Sequence, residues 1–301
     1  SYSEIASAAV EHALGKNLTL TATYLFAGGA RLPRTLNVNL PPPVLLTMNN
    51  ATQLGIAQPV PQQIGRLVFP SGQMARQFDN VYQWQNEAHS TYNGLSLALR
   101  RRLANDIEFS ANYTLSKAID DASDFTEQAQ NPYALPEERA LSANDQRQRF
   151  VFSGTFDLPF GDEDEPGGRR EKPSLATDIF GNIELAPILT VGSGRPVNPL
   201  LGFDGNRNDA FPLSSRPLGF ARNSLRTPGR AQFDLRILKF FLIGEHGKLD
   251  LVAESFNALN HTNVSALNPV FGPSLDPIPA FATANKAGIA RQMQFSIDFE
   301  F

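Results

Sequence analysis

The chain has 301 residues, with 26 Lys and Arg against 30 Asp and Glu for a formal charge of −4, and no cysteine. That composition excludes disulfides, thiolate metal sites and thiol catalysis, and it leaves no basic field to recruit nucleic acid. At 42% hydrophobic and 19% charged it is too apolar for a disordered chain. No stretch reaches the ~18 consecutive apolar residues of a membrane-spanning helix. The sequence opens at Ser1 with neither Met nor a charged-then-apolar leader, as expected of a segment of something longer.

Alternation of period two marks the elements along the chain. Nine strands are expected, near residues 4–14, 18–29, 92–103, 107–119, 147–158, 179–194, 230–243, 248–260 and 288–301. In the second, Leu18, Leu20, Ala22, Tyr24 and Phe26 oppose Thr19, Thr21 and Thr23. The third sets Leu95, Leu97, Leu99 and Leu103 against Ser96, Ala98, Arg100 and Arg102. In the fourth, Phe109, Ala111, Tyr113 and Leu115 face away from Glu108, Ser110, Asn112, Thr114 and Ser116. Phe150, Phe152, Phe156 and Leu158 do the same in the fifth, and Phe233, Leu235 and Ile237 in the seventh. The ninth is the clearest: Met293, Phe295, Ile297, Phe299 and Phe301 alternate with Gln292, Gln294, Ser296, Asp298 and Glu300. Successive strand side chains point to opposite faces, so each of these strands has one apolar and one polar face.

These strands are long. They run to roughly 11–16 residues, against ~5–6 in globular sheets and the ~9–11 that cross hydrocarbon at a tilt. Their connections alternate in length: short at 15–17, 104–106 and 244–247, intermediate and charged at 161–173, long at 31–90, 120–146, 195–229 and 261–287. Every short turn falls at one end of the strands and every long loop at the other, the pattern of outer-membrane barrels with periplasmic turns and extracellular loops. A soluble β-sandwich also alternates, but with shorter strands and shorter loops. The expected fold is therefore all-β, a transmembrane outer-membrane barrel. Nine strands do not close a bacterial barrel of even strand number, and an open edge in lipid costs several kcal/mol per unpaired backbone group. The expectation is a single partial barrel domain over 1–301, the C-terminal part of a larger barrel.

Tyr92-Asn93-Gly94-Leu95 and the run from Tyr113 through Asp120-Asp121-Ala122-Ser123-Asp124-Phe125 carry a family resemblance. So do Asp145, Arg147 and Arg149-Phe150 leading to Leu158-Pro159-Phe160-Gly161, and Gly192-Ser193-Gly194-Arg195-Pro196. Arg222-Asn223-Ser224-Leu225-Arg226-Thr227-Pro228-Gly229 and Glu254 through Asn263 complete the ordered set. Over essentially the whole chain it resembles the C-terminal barrel of TonB-dependent transporters, nearest to the Oar-like group of Acidobacteria-type genomes. The resemblance implies a barrel of about 22 strands plugged by an N-terminal domain. It also implies uptake driven by an inner-membrane energy-coupling complex acting on that plug, which this chain does not contain. Partners would be outer-membrane lipid, that complex and an extracellular ligand; siderophore, glycan, peptide and cobalamin all fit. The alternative is a structural or adhesive outer-membrane barrel whose loops bind other surfaces.

Chemistry-bearing patterns are sparse. His12, His89, His246 and His261 show no paired-ligand spacing, Ser193 completes no nucleophile elbow, and no glycine loop precedes a G-K-[ST]. No catalysis and no cofactor are expected. Asp204, Asn206 and Asn208 echo a Ca²⁺ loop but lack its sixth-position Gly and terminal Glu, so a polar surface loop is the better reading. Arg100 and Arg102 are expected in the lumen, with Arg101 outward beside a turn, where it can snorkel to headgroups. The acidic run from Asp162 and the basic run from Arg169 read as a solvated turn. In loop 31–90, Phe78, Tyr82 and Trp84 can stack on sugars or planar ligands, or build an aromatic girdle and pack the loop. Phe295, Ile297, Phe299 and Phe301 resemble the terminal signal read by the barrel-assembly machinery, since an edge strand offers unpaired backbone and its side chains set register. They also suit a lipid-facing girdle.

Overall fold

A computed structural model of the chain describes residues 1–71, 74–75, 77–104, 106–158, 181–210, 215–243 and 247–301. Nine long strands form one antiparallel sheet: β1 (Tyr2–Ala13), β2 (Leu18–Asn37), β3 (Tyr82–Ala104), β4 (Ile107–Asp120), β5 (Gln148–Asp157), β6 (Ile183–Gly192), β7 (Arg230–Ile243), β8 (Gly247–Phe256) and β9 (Gln292–Glu300). Each pairs with its neighbours in sequence, and the short strand Ala140–Leu141 adds to β4 beside β5. Among the described residues β1 and β9 each pair on one side only, so the sheet is open.

Register sorts the faces as the alternation predicts. Val10 opposes Ala22, then Leu97, Tyr113, Phe150 and Val191 follow strand by strand in one outward row. On the other face Thr23, Ser96, Thr114 and Arg149 line up, with Ser96 and Thr114 hydroxyls 3.3 Å apart. Arg100 sits opposite Ser110 on the polar face and Arg101 opposite Phe109 on the apolar one. Large apolar residues of the outward face stay open, Leu97 at 40% and Phe295 and Ile297 both at 71%. A surface of this kind is stable only where the solvent is itself hydrocarbon.

The sequence reading ends β2 at residue 29 and begins β3 at 92, yet the two pair on to Asn37 and Tyr82. Gly28 and Gly29 pair in register with Thr91 and Ser90, and bulges carry the pairing on past Pro33. The register shifts between Gly29 and Leu32 and again between Leu32 and Pro33, and Arg31 takes φ 53°. Pro is tolerated in a strand at such bulges. The connection between the two strands therefore spans 38–81 rather than 31–90, and Tyr82 and Trp84 belong to a strand, not to a loop. The turn at 14–17 is closed by Leu14 N–H donating to Leu18 O at 2.8 Å. Parts of the other expected turns, 105, 159–180 and 244–246, lie outside the described residues.

The hydrophobic core does not sit in the sheet. Nearly all buried apolar side chains, among them Leu40, Leu46, Val68, Phe69, Leu201 and Phe271, belong to the long connections or the strand extensions that carry them. Leu46, Ala51 and Val68 form one cluster with Leu54, Ile56 and Ile64 packed against it. The four long connections, 38–81, 121–147, 193–229 and 257–291, thus make a packed cap at one end of the wall.

Candidate functional site: the loop cap

The cap is held by arginines that reach from one loop into another. Arg222 donates to Asp120 Oδ1 at 2.8 Å, to both oxygens of Glu127 at 2.7 Å and to Ser123 Oγ at 3.0 Å. Burial opposes its charge, but the hydrogen bonds and charges of Glu127 and Asp120 outweigh burial and raise its pKa. Arg216 forms a bidentate pair with Glu138 at 2.7 and 3.1 Å. Such forks fix geometry as well as charge. Arg66 donates to Asn206 Oδ1 at 2.7 Å, to Arg216 O at 2.6 Å and to Gln62 O at 3.0 Å. Burial first and the neighbouring Arg216 second bring the Arg66 pKa down to about 10, against the pull of Asp204.

Arg34 differs from these three. Its Nε and Nη1 are buried without a hydrogen-bond partner, although Asp121, Glu138 and Glu127 surround it electrostatically. Burial is the largest influence and lowers its pKa.

The loops also join through backbone and rings. Leu200 and Val270 form a bridge, and Phe271 packs edge-on against both Phe220 and Phe281 at 5.5 and 5.0 Å. Tyr133 OH donates to Leu40 O at 2.7 Å, and its ring stacks on Phe69. The family motifs supply many of the fasteners. Asp120, Ser123 and Arg222 meet across 102 positions of sequence. Asp145 accepts from Ala118 N–H at 2.8 Å, Asn263 from Ala231 N–H at 2.9 Å, and a Cβ at Gly194 would collide with Thr227 O.

The candidate ligand, metal and assembly residues all fall among the described residues, whereas His246 and the charged runs from Asp162 and Arg169 lie outside them. Phe78, Tyr82 and Trp84 are exposed at 56%, 48% and 73%. Tyr82 OH donates to Asp209 O at 3.2 Å, and Trp84 meets Phe125 edge-on at 6.0 Å, so both anchor loops while presenting ring surface. Asp204 is a turn brace: its two oxygens accept from Asn208 and Asp209 N–H at 3.1 and 2.9 Å. Asn206 bridges Arg66 and Leu67 O, and Asn208 donates to Gln130 O, so the three side chains diverge onto protein partners. Among the described residues no group of three or more His, Asp or Glu converges on a point. Phe295, Ile297, Phe299 and Phe301 line the outward face of β9 and its end, with Phe299 and Phe301 stacked at 5.9 Å. The sequence reading missed Arg34, Arg66 and Arg216: the side-chain partners of Arg66 and Arg216 lie in other loops, and Arg34 sits in the extension of β2 beyond residue 29. Arg222 and Asp120 stood inside quoted motifs, but nothing local reveals that they pair.

A family model described as an outer membrane beta barrel domain matches residues 1–220 and 210–294. Among solved structures, the outer membrane transporter YddB from Escherichia coli aligns at a TM-score of 0.52 and 11% identity, over 99% of this chain and 32% of that one. The ferripyoverdine receptor of the outer membrane of Pseudomonas aeruginosa aligns at 0.50 and 9% identity, over 99% of this chain and 27% of the other. The chain thus spans less than a third of either protein, and the likeness is one of fold. No curated protein matches the sequence.

Proposed function

The chain belongs to the outer membrane beta barrel domain family, its place is the bacterial outer membrane, and from that premise we propose that it is part of a receptor barrel for energised uptake of an extracellular ligand. The carrying observation is the cap at one end of the wall, in which buried arginines lock three of the four long connections to one another and the Leu200–Val270 bridge with the Phe220–Phe271 contact joins the fourth. An architecture of this kind suits a preformed recognition surface, with Phe78, Tyr82 and Trp84 as candidate ligand contacts. The resemblance to TonB-dependent transporters and the fold of the two structures above support the same reading.

On this reading, further strands pair with the free edges of β1 and β9, because lipid cannot satisfy open backbone groups. An upstream plug would then receive the pull of an inner-membrane energy-coupling complex, and no catalytic step is assigned to the barrel. β9 serves assembly, its free edge captured by strand addition and its register set by Phe295, Ile297, Phe299 and Phe301. Phe299→Ser with Phe301→Ser in the full-length protein should slow membrane insertion and enlarge the protease-sensitive periplasmic pool. Unchanged insertion would leave those residues a girdle only.

The test of function is an uptake screen on cells carrying the full-length gene. Accumulation of one ligand that stops when the proton gradient is collapsed supports energised uptake. Binding without accumulation favours an adhesive barrel, a reading encouraged by open apolar side chains on the cap such as Met48 at 69% and Leu275 at 67%.

A further inference from the structure

Arginines gather where β5, β6 and β7 reach the loop cap. Register places Thr114, Arg149, Gly192 and Arg230 side by side on the polar face. Gly192 is the last residue of β6 and Arg230 the first of β7, so this row lies at the cap end of the strands. Gly192 carries no side chain and lies under the Gln146 amide. Arg149 and Arg230 therefore flank a neutral gap, their backbones about 10 Å apart at two strand spacings. Arg147 shares the parity of Arg149, and its carbonyl accepts from Ser116 N–H at 2.9 Å. Arg195 and Arg226 stand in the connection that follows Gly192, where Thr227 N–H donates to Arg195 O at 3.0 Å and Arg226 Nη1 to Gly194 O at 3.2 Å.

These charges are not spent on the fold. The side chains of Arg147, Arg149 and Arg195 make no hydrogen bond or ion pair among the described residues. Arg230 donates to the neutral Gln232, which donates in turn to Asp234. Two neighbouring carboxylates are engaged: Asp234 accepts Asn257 N–H at 2.7 Å, and Asp145 accepts Ala118 N–H at 2.8 Å while lying 3.5 Å from Arg226. Asp157 opposite Glu184 and Asp250 opposite Asp298 share the polar face but stand toward the other end of the strands. Like charges crowded at one rim repel one another, and their summed field draws an anion. Beneath the arginines the next row is Asn112, Val151, Thr190 and Gln232, amide and hydroxyl groups with one apolar member. Such a row suits the hydroxyls of a sugar. A peptide finds less here, because β4 through β7 each pair on both sides and offer no edge for strand addition.

We propose that this arginine rim binds an acidic oligosaccharide built from uronic acids, with carboxylates on Arg149 and Arg230 either side of Gly192 and hydroxyls on Asn112 and Thr190. Each guanidinium is a planar fork that grips a carboxylate through two hydrogen bonds. Two forks held apart by the sheet select a chain with repeated acidic groups over a single small anion. The proposal rests on the receptor reading above and gives it a substrate class.

Calorimetric titration of the purified full-length protein tests this, with hexagalacturonate and hexamannuronate as probes. At least one should bind, and its methyl ester, neutral on the same skeleton, should bind more weakly by about tenfold or more. Arg149→Gln and Arg230→Gln should each weaken the acidic glycan about tenfold, the worth of one charge-assisted pair. Lys117→Gln, which removes a charge from the outward face of β4, should change nothing. Heat-modifiable gel mobility confirms that each variant is folded. Binding of neither uronate, equal binding of acid and ester, or an affinity untouched by Arg149→Gln and Arg230→Gln in folded barrel would overturn the proposal. Tighter binding of polyglutamate than of either uronate would overturn it in favour of an acidic peptide. None of these outcomes bears on energised uptake, which the whole-cell screen decides by itself.

Discussion

The wall and the cap of this protein are built by opposite rules. The wall keeps its large apolar residues open, exemplified by Phe295 at 71%, and closes its backbone groups strand to strand. The cap buries Leu46, Val68 and Phe69 as a water-soluble domain does, and it buries Arg222 with the carboxylate of Asp120 as well. One chain therefore answers two solvents. In the wall a side chain is placed by its parity along the strand, in the cap by its partner in another loop. What breaks one region should leave the other standing.

The sharpest break is Arg222→Ala. It strands the buried carboxylate of Asp120 and removes the partner of Glu127, which at ~3–5 kcal/mol for a broken buried pair should open the cap. Hydrogen exchange should then show lost protection at 121–147 and 193–229 with the strand amides unchanged. Protection lost equally in both regions would mean that wall and cap are one cooperative unit.

Next come the wall substitutions. Leu97→Arg or Phe295→Arg places a charge on the lipid face and should cost ~2–4 kcal/mol near the midplane, whereas Ser110→Arg on the polar face should be tolerated. Denaturant unfolding from vesicles measures all three. Equal costs on the two faces would contradict the assignment of solvents.

The smallest effect sharpens the contrast within the cap. Arg34 is as buried as Arg222 but bonds nothing through Nε or Nη1, and the carboxylates around it have partners of their own. Arg34→Met should therefore change stability by less than about 1 kcal/mol, or improve it, since an apolar residue of similar length relieves the orphaned donors. A loss as large as that of Arg222→Ala would show that the field of Asp121, Glu138 and Glu127 is worth as much as direct bonds. The low pKa of Arg66 carries a sign of its own. Its folded value of about 10 lies below the ordinary arginine range, so the fold disfavours its charge, and that penalty is fully present at neutral pH and relieved as pH rises through 10.

This division also explains what could be read in advance. The wall was legible because parity is local: Met293 to Phe301 declare both faces of β9 within nine residues. All nine strands were anticipated, and the larger errors fell where bulges at Arg31 and near Pro33 carried pairing past apparent terminators. The cap was not legible, because the cross-loop partners of Arg66, Arg216 and Arg222 lie 78 to 150 residues away. The family motifs marked some of the fastening points, Asp120, Ser123 and Arg222, without disclosing that they fasten.

The central claim is that the wall crosses the outer membrane with the cap outside. The chain has no cysteine of its own, so single cysteines report cleanly. Asn50→Cys lies in the cap connection 38–81, and Lys16→Cys in the turn between β1 and β2. In whole cells an impermeant maleimide should label Asn50→Cys and spare Lys16→Cys until the outer membrane is permeabilised. Labelling of Lys16→Cys with Asn50→Cys protected would contradict the account.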